Sequence, residues 1–393
     1  MKTAGPAVRP LERSPDIANP DRAAIAAVIL GITAFAIAQG LTYPLISLTL
    51  SSRGVSDAVI GLNAAAFAVG LGAATLSIGR LTGLFDGGRL ILAGLIGCSL
   101  CLMTFALTES SVIWFLARFA LGFGAGVIFI LSETWLNAAC PDRLRGRVSG
   151  MYGMGMCGGF AAGPMAIPLF GGESGFSFAI VSVYLAVVAF ASAVLTRRAR
   201  TRPAPAESGA LIRFTRAAPV LVAMVLAFGF ADIAAIAVLP VYFVKAGHSQ
   251  DFAAISVSVI ALPAALAQPL VGLMLDRLSR SRVTICCALT AAAGFLALPL
   301  LASEATILIA IGLIGAASFA LYTCALTLLG ERFSGAMLLA GSAVYSLAYA
   351  VGSGAGSSLT GFAMDRFGLA AAPLTAGGVL AVFALLFAWR APR

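Results

Sequence analysis

The chain has 393 residues, of which 60% are hydrophobic and 10% charged, with a formal net charge of +9 and a mean hydropathy of +1.01. That balance excludes a soluble globular protein and a disordered binding segment, and describes a chain that spends most of its length in hydrocarbon. The positive charge does not make a nucleic-acid surface, because the basic residues are scattered through short gaps between apolar runs and form no stripe with aromatics.

Apolar runs of about twenty residues, each long enough to cross roughly 30 Å of hydrocarbon, recur from Ala23 to Trp389. They predict twelve helices, at 23–48, 58–78, 90–107, 112–137, 148–170, 176–195, 217–243, 252–273, 284–303, 305–328, 335–361 and 369–389. A polar leader, 1–22, precedes the first run, which is too long for a signal-peptide core and has no small-residue cleavage pattern after it. It is read as a retained span. A linker at 196–218, rich in Arg, Pro and Ala, separates an N-terminal six-helix bundle (1–195, leader included) from a C-terminal one (219–393).

The arginines of the leader, the linker and every second gap fall on one side, leaving Arg53, Lys245 and Arg366 on the other. By the positive-inside rule both termini are cytoplasmic and the chain is a multi-pass protein of the cell's inner (plasma) membrane. The seven cysteines lie in predicted helices or on the cytoplasmic side, so no disulfide framework is expected. Cys98-x-x-Cys101 falls inside a lipid-length run and is read as packing. The single histidine, His248, is read as a solvated loop residue, so no histidine-based metal site or catalytic triad is expected, and no cofactor. The two lysines, Lys2 and Lys245, lie in the leader and an outer loop, and no phosphate-cradling glycine loop surrounds them. ATP is therefore not the energy source.

Sliding the chain on itself by 193 positions superposes its halves. Ala34-Phe35-x-x-Ala38-Gln39 falls on Ala227-Phe228-x-x-Ala231-Asp232, Gly79 and Arg89 on Gly272 and Arg282, and Gly122 on Gly315. Phe129 meets Tyr322, Tyr152 meets Tyr345, and Gly159 and Gly163 meet Gly352 and Gly356. Two similar bundles with a site between them near the bilayer midplane follow.

At these residues the chain resembles the major facilitator superfamily over nearly its whole length. Gly272-x-x-x-Asp276-Arg277-x-Ser279-Arg280-x-Arg282 is similar to the family's gating motif, whereas the matching first-half loop keeps Gly79 and Arg89 but has Gly83 and Leu84 where an acid and an arginine are expected. Arg118-x-x-x-Gly122-x-Gly124 is similar to the fourth-helix motif. Gly150-x8-Gly159-x3-Gly163-Pro164 is similar to the fifth-helix motif associated with antiporters, with Ile167 in place of its last glycine. Glu133-Thr134-Trp135-Leu136-Asn137, followed by Arg145-Gly146-Arg147, looks like bacterial members related to drug/proton antiporters. The resemblance implies an all-α polytopic membrane fold of twelve transmembrane helices in two six-helix pseudo-repeats. It also implies helix packing through Gly150, Gly159, Gly163 and Pro164, and a cytoplasmic gating network. That network would draw on Gly272, Asp276, Arg277, Arg282 and Glu331 in one half and on Glu133, Arg80 and Arg89 in the other. Gly361-x-x-x-Asp365-Arg366-x-Gly368 also matches the gating motif, but the helix count puts it outside, as a loop.

Asp232, about fifteen positions into the seventh helix, is the candidate for proton coupling, because a charge at that depth is costly and a proton removes it. The alternative is an aspartate that packs helices through a hydrogen bond. Its counterpart Gln39 does not titrate. Arg118 and Glu133 lie within about 60° of one helix face and about 22 Å apart, too far to pair. Arg118 orients a substrate, meets an acid across the cavity or packs; Glu133 is expected near the cytoplasmic mouth beside Arg80, Arg89 and Arg143. Gln39 and Tyr43, Asn63 and Phe67, and Tyr345 and Tyr349 share helix faces, and Phe129, Phe228 and Tyr322 join them as cavity candidates. Rings with amide partners suit a neutral or weakly charged aromatic solute better than a phosphate, which wants several arginines.

The expected function is secondary active transport of such a solute by alternating access, coupled to protons and directed to efflux, by a monomer whose other partners are the bilayer and the proton. Import of a neutral aromatic nutrient, such as a riboflavin-like vitamin, is the alternative. A membrane-embedded enzyme would need paired carboxylates, a nucleophile with its base or clustered metal ligands, and the sequence presents none.

Overall fold

The structure, a computed structural model, describes residues 19–170, 175–201, 211–333 and 335–390, so most of the leader and nine linker positions lie outside the described residues. The described chain is helical: α1 (Arg22–Ser52), α2 (Asp57–Leu84), α3 (Gly87–Leu107), α4 (Ser111–Ala139), α5 (Asp142–Ala162), α6 (Ala166–Phe170), α7 (Gly175–Arg198), α8 (Leu211–Ala217), α9 (Pro219–Ile233), α10 (Leu239–Lys245), α11 (Gln250–Arg277), α12 (Arg280–Ala297), α13 (Glu304–Arg332), α14 (Gly335–Phe367) and α15 (Ala371–Arg390). A 3-10 turn at Gly163–Met165 fuses α5 to α6, and a π turn at Ala234–Val238 fuses α9 to α10. Twelve rods result, as expected from the hydropathy. Ten spans among the described residues are long and apolar enough to cross a membrane. The other two rods, α5–α6 and α14, are rich in glycine and packed against neighbouring helices instead of being apolar throughout.

Two readings need correction. The basic stretch 143–147, expected as a loop, forms the first turns of α5. The linker is not polar throughout, because its C-terminal part folds into α8 with Phe214 fully buried.

The 193-residue repeat reappears as architecture. α2 and α11, α3 and the rod beginning with α12, and α4 and α13 start 193 positions apart, and so do their caps, Ser56 and Ser249, Asp86 and Ser279, Ser110 and Ser303. In most of these caps a side-chain oxygen accepts a first-turn N–H that would otherwise lack a partner. The packing repeats as well. A Cβ at Gly122 would collide with the Phe67 carbonyl, and one at Gly315 with the Ile260 carbonyl. Gly159 and Gly163 meet the carbonyls of Thr33 and Ile37, while Gly352 and Gly356 meet those of Leu226 and Phe230. Each pair is the same contact shifted by the repeat, which lets the backbones approach as small residues do in membranes.

The described chain begins, at the start of α1, on the face where α4 and α7 end, here the terminal face. Asp21 ties helix ends together there: its N–H donates to the Ala139 carbonyl at 2.9 Å. Its carboxylate accepts from the N–H groups of Ala24 (3.2 Å), Arg200 (2.6 Å) and Thr201 (2.8 Å). Trp135 Nε1 completes the knot by donating to the Thr201 carbonyl at 3.1 Å.

The opposite face is closed. Lys245 at the end of α10 reaches Asp57 at the start of α2 at 2.5 Å, and Asp57 is 5% exposed. Among the ion pairs described, this one joins the two halves; Arg53–Glu109, His248–Glu304 and Arg280–Glu331 each stay within a half. Beside it α2 and α14 cross so closely that Gly61 abuts the Ser357 carbonyl and Gly361 the Asp57 carbonyl. His248 is less solvated than expected: a tight turn at Gly247 (φ 99°) folds its ring onto Phe252 at 4.6 Å, with Nδ1 3.3 Å from Glu304.

Burial would raise the pKa of Asp21, but its hydrogen bonds from Thr201, Ala24 and Arg200 outweigh burial and hold the carboxyl below its ordinary value. Its contribution to stability is therefore complete above the unfolded pKa of about 3.9 and is lost as pH falls through the folded value. Asp21→Ala should lower stability by about 1 kcal/mol or more at neutral pH, and the gap from wild type should narrow at acid pH. Thermal unfolding in detergent at pH 7 and at lower pH measures this; a variant as stable as wild type at neutral pH contradicts it.

Lys245→Met should leave Asp57 buried without its partner and loosen the closed face. A cysteine at Ser318, in a background without other cysteines, should then react faster with a bulky thiol reagent offered from that face. Swapping the charges (Asp57→Lys with Lys245→Asp) should restore protection, and equal rates in all three chains would contradict the clasp.

Candidate functional site

Between the halves lies a cavity of about 270 Å3. Its wall comes from α1, α2, α4 and α5 of one half and from α9, the π turn, α11, α13 and α14 of the other. None of it comes from α3, α7, α12 or α15, which pack behind; Ser99 and Ser182, for example, hold α3 to α7 at 2.7 Å.

The wall is aromatic on the side of α9. Phe228 stacks on Tyr322 at 5.2 Å and packs against Phe319 at 5.5 Å and Tyr349 at 5.6 Å. Asp232, one helical turn along α9, is on the same wall, and Tyr349 donates its hydroxyl proton to Asp232 Oδ2 at 2.7 Å. The π turn begins two residues later. Pro240 explains the local irregularity, since it lacks the N–H that would bond the Ile236 carbonyl. Among the described residues, Asp232 is the ionisable carboxyl side chain on the wall; the other polar groups there are Gln39, Thr75, Ser318, Ser346, the thiol of Cys157 and tyrosine hydroxyls.

Of the candidates read from the sequence, Gln39, Tyr43, Phe67, Phe129, Phe228, Asp232, Tyr322, Tyr345 and Tyr349 line this one cavity. Asn63 and Arg118 do not. Both are 1% exposed and lie behind the wall, where Asn63 Nδ2 and Oδ1 and Arg118 Nε and Nη1 have no hydrogen-bond partner among the described residues. The Arg118 guanidinium lies over the rings of Tyr43 (4.4 Å) and Phe67 (5.2 Å), which are themselves edge to face at 5.3 Å. These rings place the cation's charge against their π faces and screen it from the cavity. Tyr43 thus touches Arg118 with its ring and lines the same cavity as Asp232.

The gating candidates are spread over the terminal face. Glu331 meets Arg280, at 3.1 Å to Nε and 2.5 Å to Nη2, instead of Arg277 or Arg282. Arg280 begins α12 beside the end of α13, whereas Arg277 and Arg282 are turned outward and exposed. The side chains of Gly272, Asp276, Gly150 and Arg143 lie outside the described residues. Arg80 and Arg89 are exposed, and the Arg89 N–H donates to Asp86 at 3.1 Å. Glu133 is solvent-accessible, forms no ion pair among the described residues, and lies within electrostatic range of Tyr152 and Tyr322. Tyr322 is a wall residue of the other half, so Glu133 lies within reach of the cavity's lining, and the Arg143 side chain expected beside it is outside the described residues. Pro164 is buried at the 3-10 turn that follows the Gly159 and Gly163 contacts.

Sequence reading missed Phe319, although it stands one turn before Tyr322, a spacing that puts both on one helix face. It also missed the Asp57–Lys245 pair, for which no local signal exists, since the partners are 188 residues apart.

Comparison with known proteins agrees with this architecture. An uncharacterized MFS-type transporter, YfkF of Bacillus subtilis (strain 168), is 26% identical over 356 residues, covering 87% of this chain and 88% of that protein. Among solved structures, the nucleoside transporter NupG superposes with a TM-score of 0.78 at 14% identity, covering 94% of this chain and 100% of that one. A bacterial homolog to the human lysosomal transporter Spinster, in an inward-facing and occupied conformation, gives 0.75 at 16% identity over 95% and 96%. The Major Facilitator Superfamily pattern matches residues 28–261 and 221–393, and the chain belongs to that family of transporters.

Proposed function

We propose that the chain moves a small aromatic, neutral or weakly charged organic solute across the cell's inner membrane, by alternating access coupled to protons, with efflux as the working direction. The observation that carries this reading is the cavity wall: one carboxylate, Asp232, set among Phe228, Tyr322 and Tyr349. Aromatic rings supply binding area for a planar solute. A carboxylate that alternates between protonated and charged forms inside a low-dielectric site can exchange a proton for a solute. Among the described residues an anion finds no cation on this wall, because Arg118 is covered by Tyr43 and Phe67.

Direction and orientation rest on other observations. Arginines concentrate at the terminal face, which by the positive-inside rule is cytoplasmic. With the opposite face closed by Asp57–Lys245 and the α2–α14 crossing, the cavity is in its inward-accessible state. Efflux follows from the antiporter-like glycine series on α5. Gating by Asp276, Arg277, Arg282, Glu133 and Glu331 and the division into bundles 1–195 and 219–393 belong to the same proposal.

Import of a neutral aromatic nutrient keeps one specific support. Among the described residues, the polar groups of the wall other than Asp232 are amide, hydroxyl and thiol groups, and one similar structure is that of a nucleoside transporter.

Asp232→Asn preserves size and hydrogen bonding but removes titration. In liposomes screened with aromatic solutes it should abolish pH-gradient-driven accumulation while leaving solute exchange intact. Full gradient-driven accumulation by the Asn variant would remove Asp232 as the coupling group. Exchange lost together with accumulation would assign it to solute binding alone.

A further inference from the structure

The linker helix α8 carries one side chain that does not match its surroundings. Ile212, Arg213, Thr215, Arg216 and Ala217 are exposed, yet Phe214 is 0% exposed. Its ring occupies a seat on α14. A Cβ at Gly341 would collide with Leu329 Cδ1 and lie 2.8 Å from that ring, so the seat, shared with the tip of Leu329, exists because position 341 has no side chain. The ring packs against Phe333 at 5.0 Å and meets Tyr345 edge to face at 6.2 Å. Tyr345 forms part of the cavity wall and is fixed at its other end, where its hydroxyl donates to the Ala325 carbonyl at 2.8 Å. One turn further along α14, Tyr349 donates to Asp232.

The repeat shows that this seat is specific to one half. Gly341 corresponds to Val148 and Tyr345 to Tyr152. Val148 is itself buried, so the first half fills the equivalent position from within. The Tyr152 hydroxyl has no partner among the described residues. Position 214 corresponds to Asp21, which grips backbone N–H groups and inserts no ring. The linker's other root is tied at Thr201 to Asp21 and Trp135 of the first half. A linker that only joined two bundles would need neither attachment.

We propose that Phe214 is a positioning residue of the transport site: it wedges Tyr345 into the cavity wall and holds the α14 face that presents Tyr349 to Asp232. The linker is then part of the site's support, and a change in its position alters the wall. This rests on reading the cavity as the transport site, but the test below reports wall geometry whether or not solute binds there.

The experiment uses the full chain in liposomes, with native cysteines replaced and Ser346, on the wall beside Tyr345, changed to cysteine. Its rate of alkylation by a small maleimide is measured together with the thermal midpoint. Phe214→Ala should change the rate several-fold, and so should Gly341→Val, which expels the ring. The double variant Phe214→Ala with Gly341→Val should return the rate close to that of the parent, because valine fills the seat as Val148 does in the other half. Phe214→Leu, which keeps most of the bulk, should fall between and covers the case in which the alanine variant fails to fold. An unchanged rate in the Leu and Ala variants, with or without a lower midpoint, would make Phe214 a fold-stabilising residue only. A double variant no closer to the parent than either single would equally overturn the proposal.

Discussion

A charge buried inside a membrane protein must be paired, covered or neutralised, and the rest of this molecule is arranged around three solutions to that constraint. Asp57 is paired, with Lys245 at 2.5 Å, and the pair closes one face. Arg118 is covered, by the rings of Tyr43 and Phe67, deep in the first half. Asp232 is neither fully paired nor covered: it keeps one hydroxyl donor, Tyr349, and faces a cavity. The first two solutions fix structure. In the proposed function the third supplies the group whose charge state changes while the fold persists, as coupling to a proton requires.

Symmetry and its violations divide the work. The glycine contacts repeat at 193 residues, Gly122 with Phe67 and Gly315 with Ile260, so the two bundles are built alike and can rock about a common cavity. The chemistry lies where the repeat is broken. Gln39 stands where Asp232 is found, Met156 where Tyr349 is found, and Arg118 has an isoleucine, Ile311, as counterpart. The acid and its hydroxyl donor therefore belong to one half and the covered cation to the other. Motion of one half against the other changes the surroundings of Asp232.

Much of the fold was legible because membrane helices announce themselves by composition, and the repeat could be read by sliding the sequence on itself. Most of the cavity wall was legible for the same reason: Gln39, Tyr43, Tyr345 and Tyr349 are polar or aromatic residues at helical spacing in otherwise apolar runs. What escaped had no local signal. Asn63 and Arg118 look like wall residues from their spacing, but whether a ring covers them depends on how α1 and α2 meet. Glu331 has three candidate arginines at the α11–α12 turn, Arg277, Arg280 and Arg282, and only the relation of α12 to α13 selects Arg280. Phe214 reads as an ordinary apolar residue in a polar linker until the vacancy at Gly341 is seen.

The central claim is that Asp232 changes protonation inside the cavity under the control of Tyr349. Infrared difference spectroscopy of the protein in liposomes, stepped between mildly acid and mildly alkaline pH, observes this directly through the carbonyl stretch of a protonated carboxyl. The account predicts a pH-dependent band that is absent in Asp232→Asn and titrates at a different midpoint in Tyr349→Phe. A band that survives the Asp232 substitution, or a spectrum in which no carboxyl assigned to Asp232 changes over that range, would contradict it.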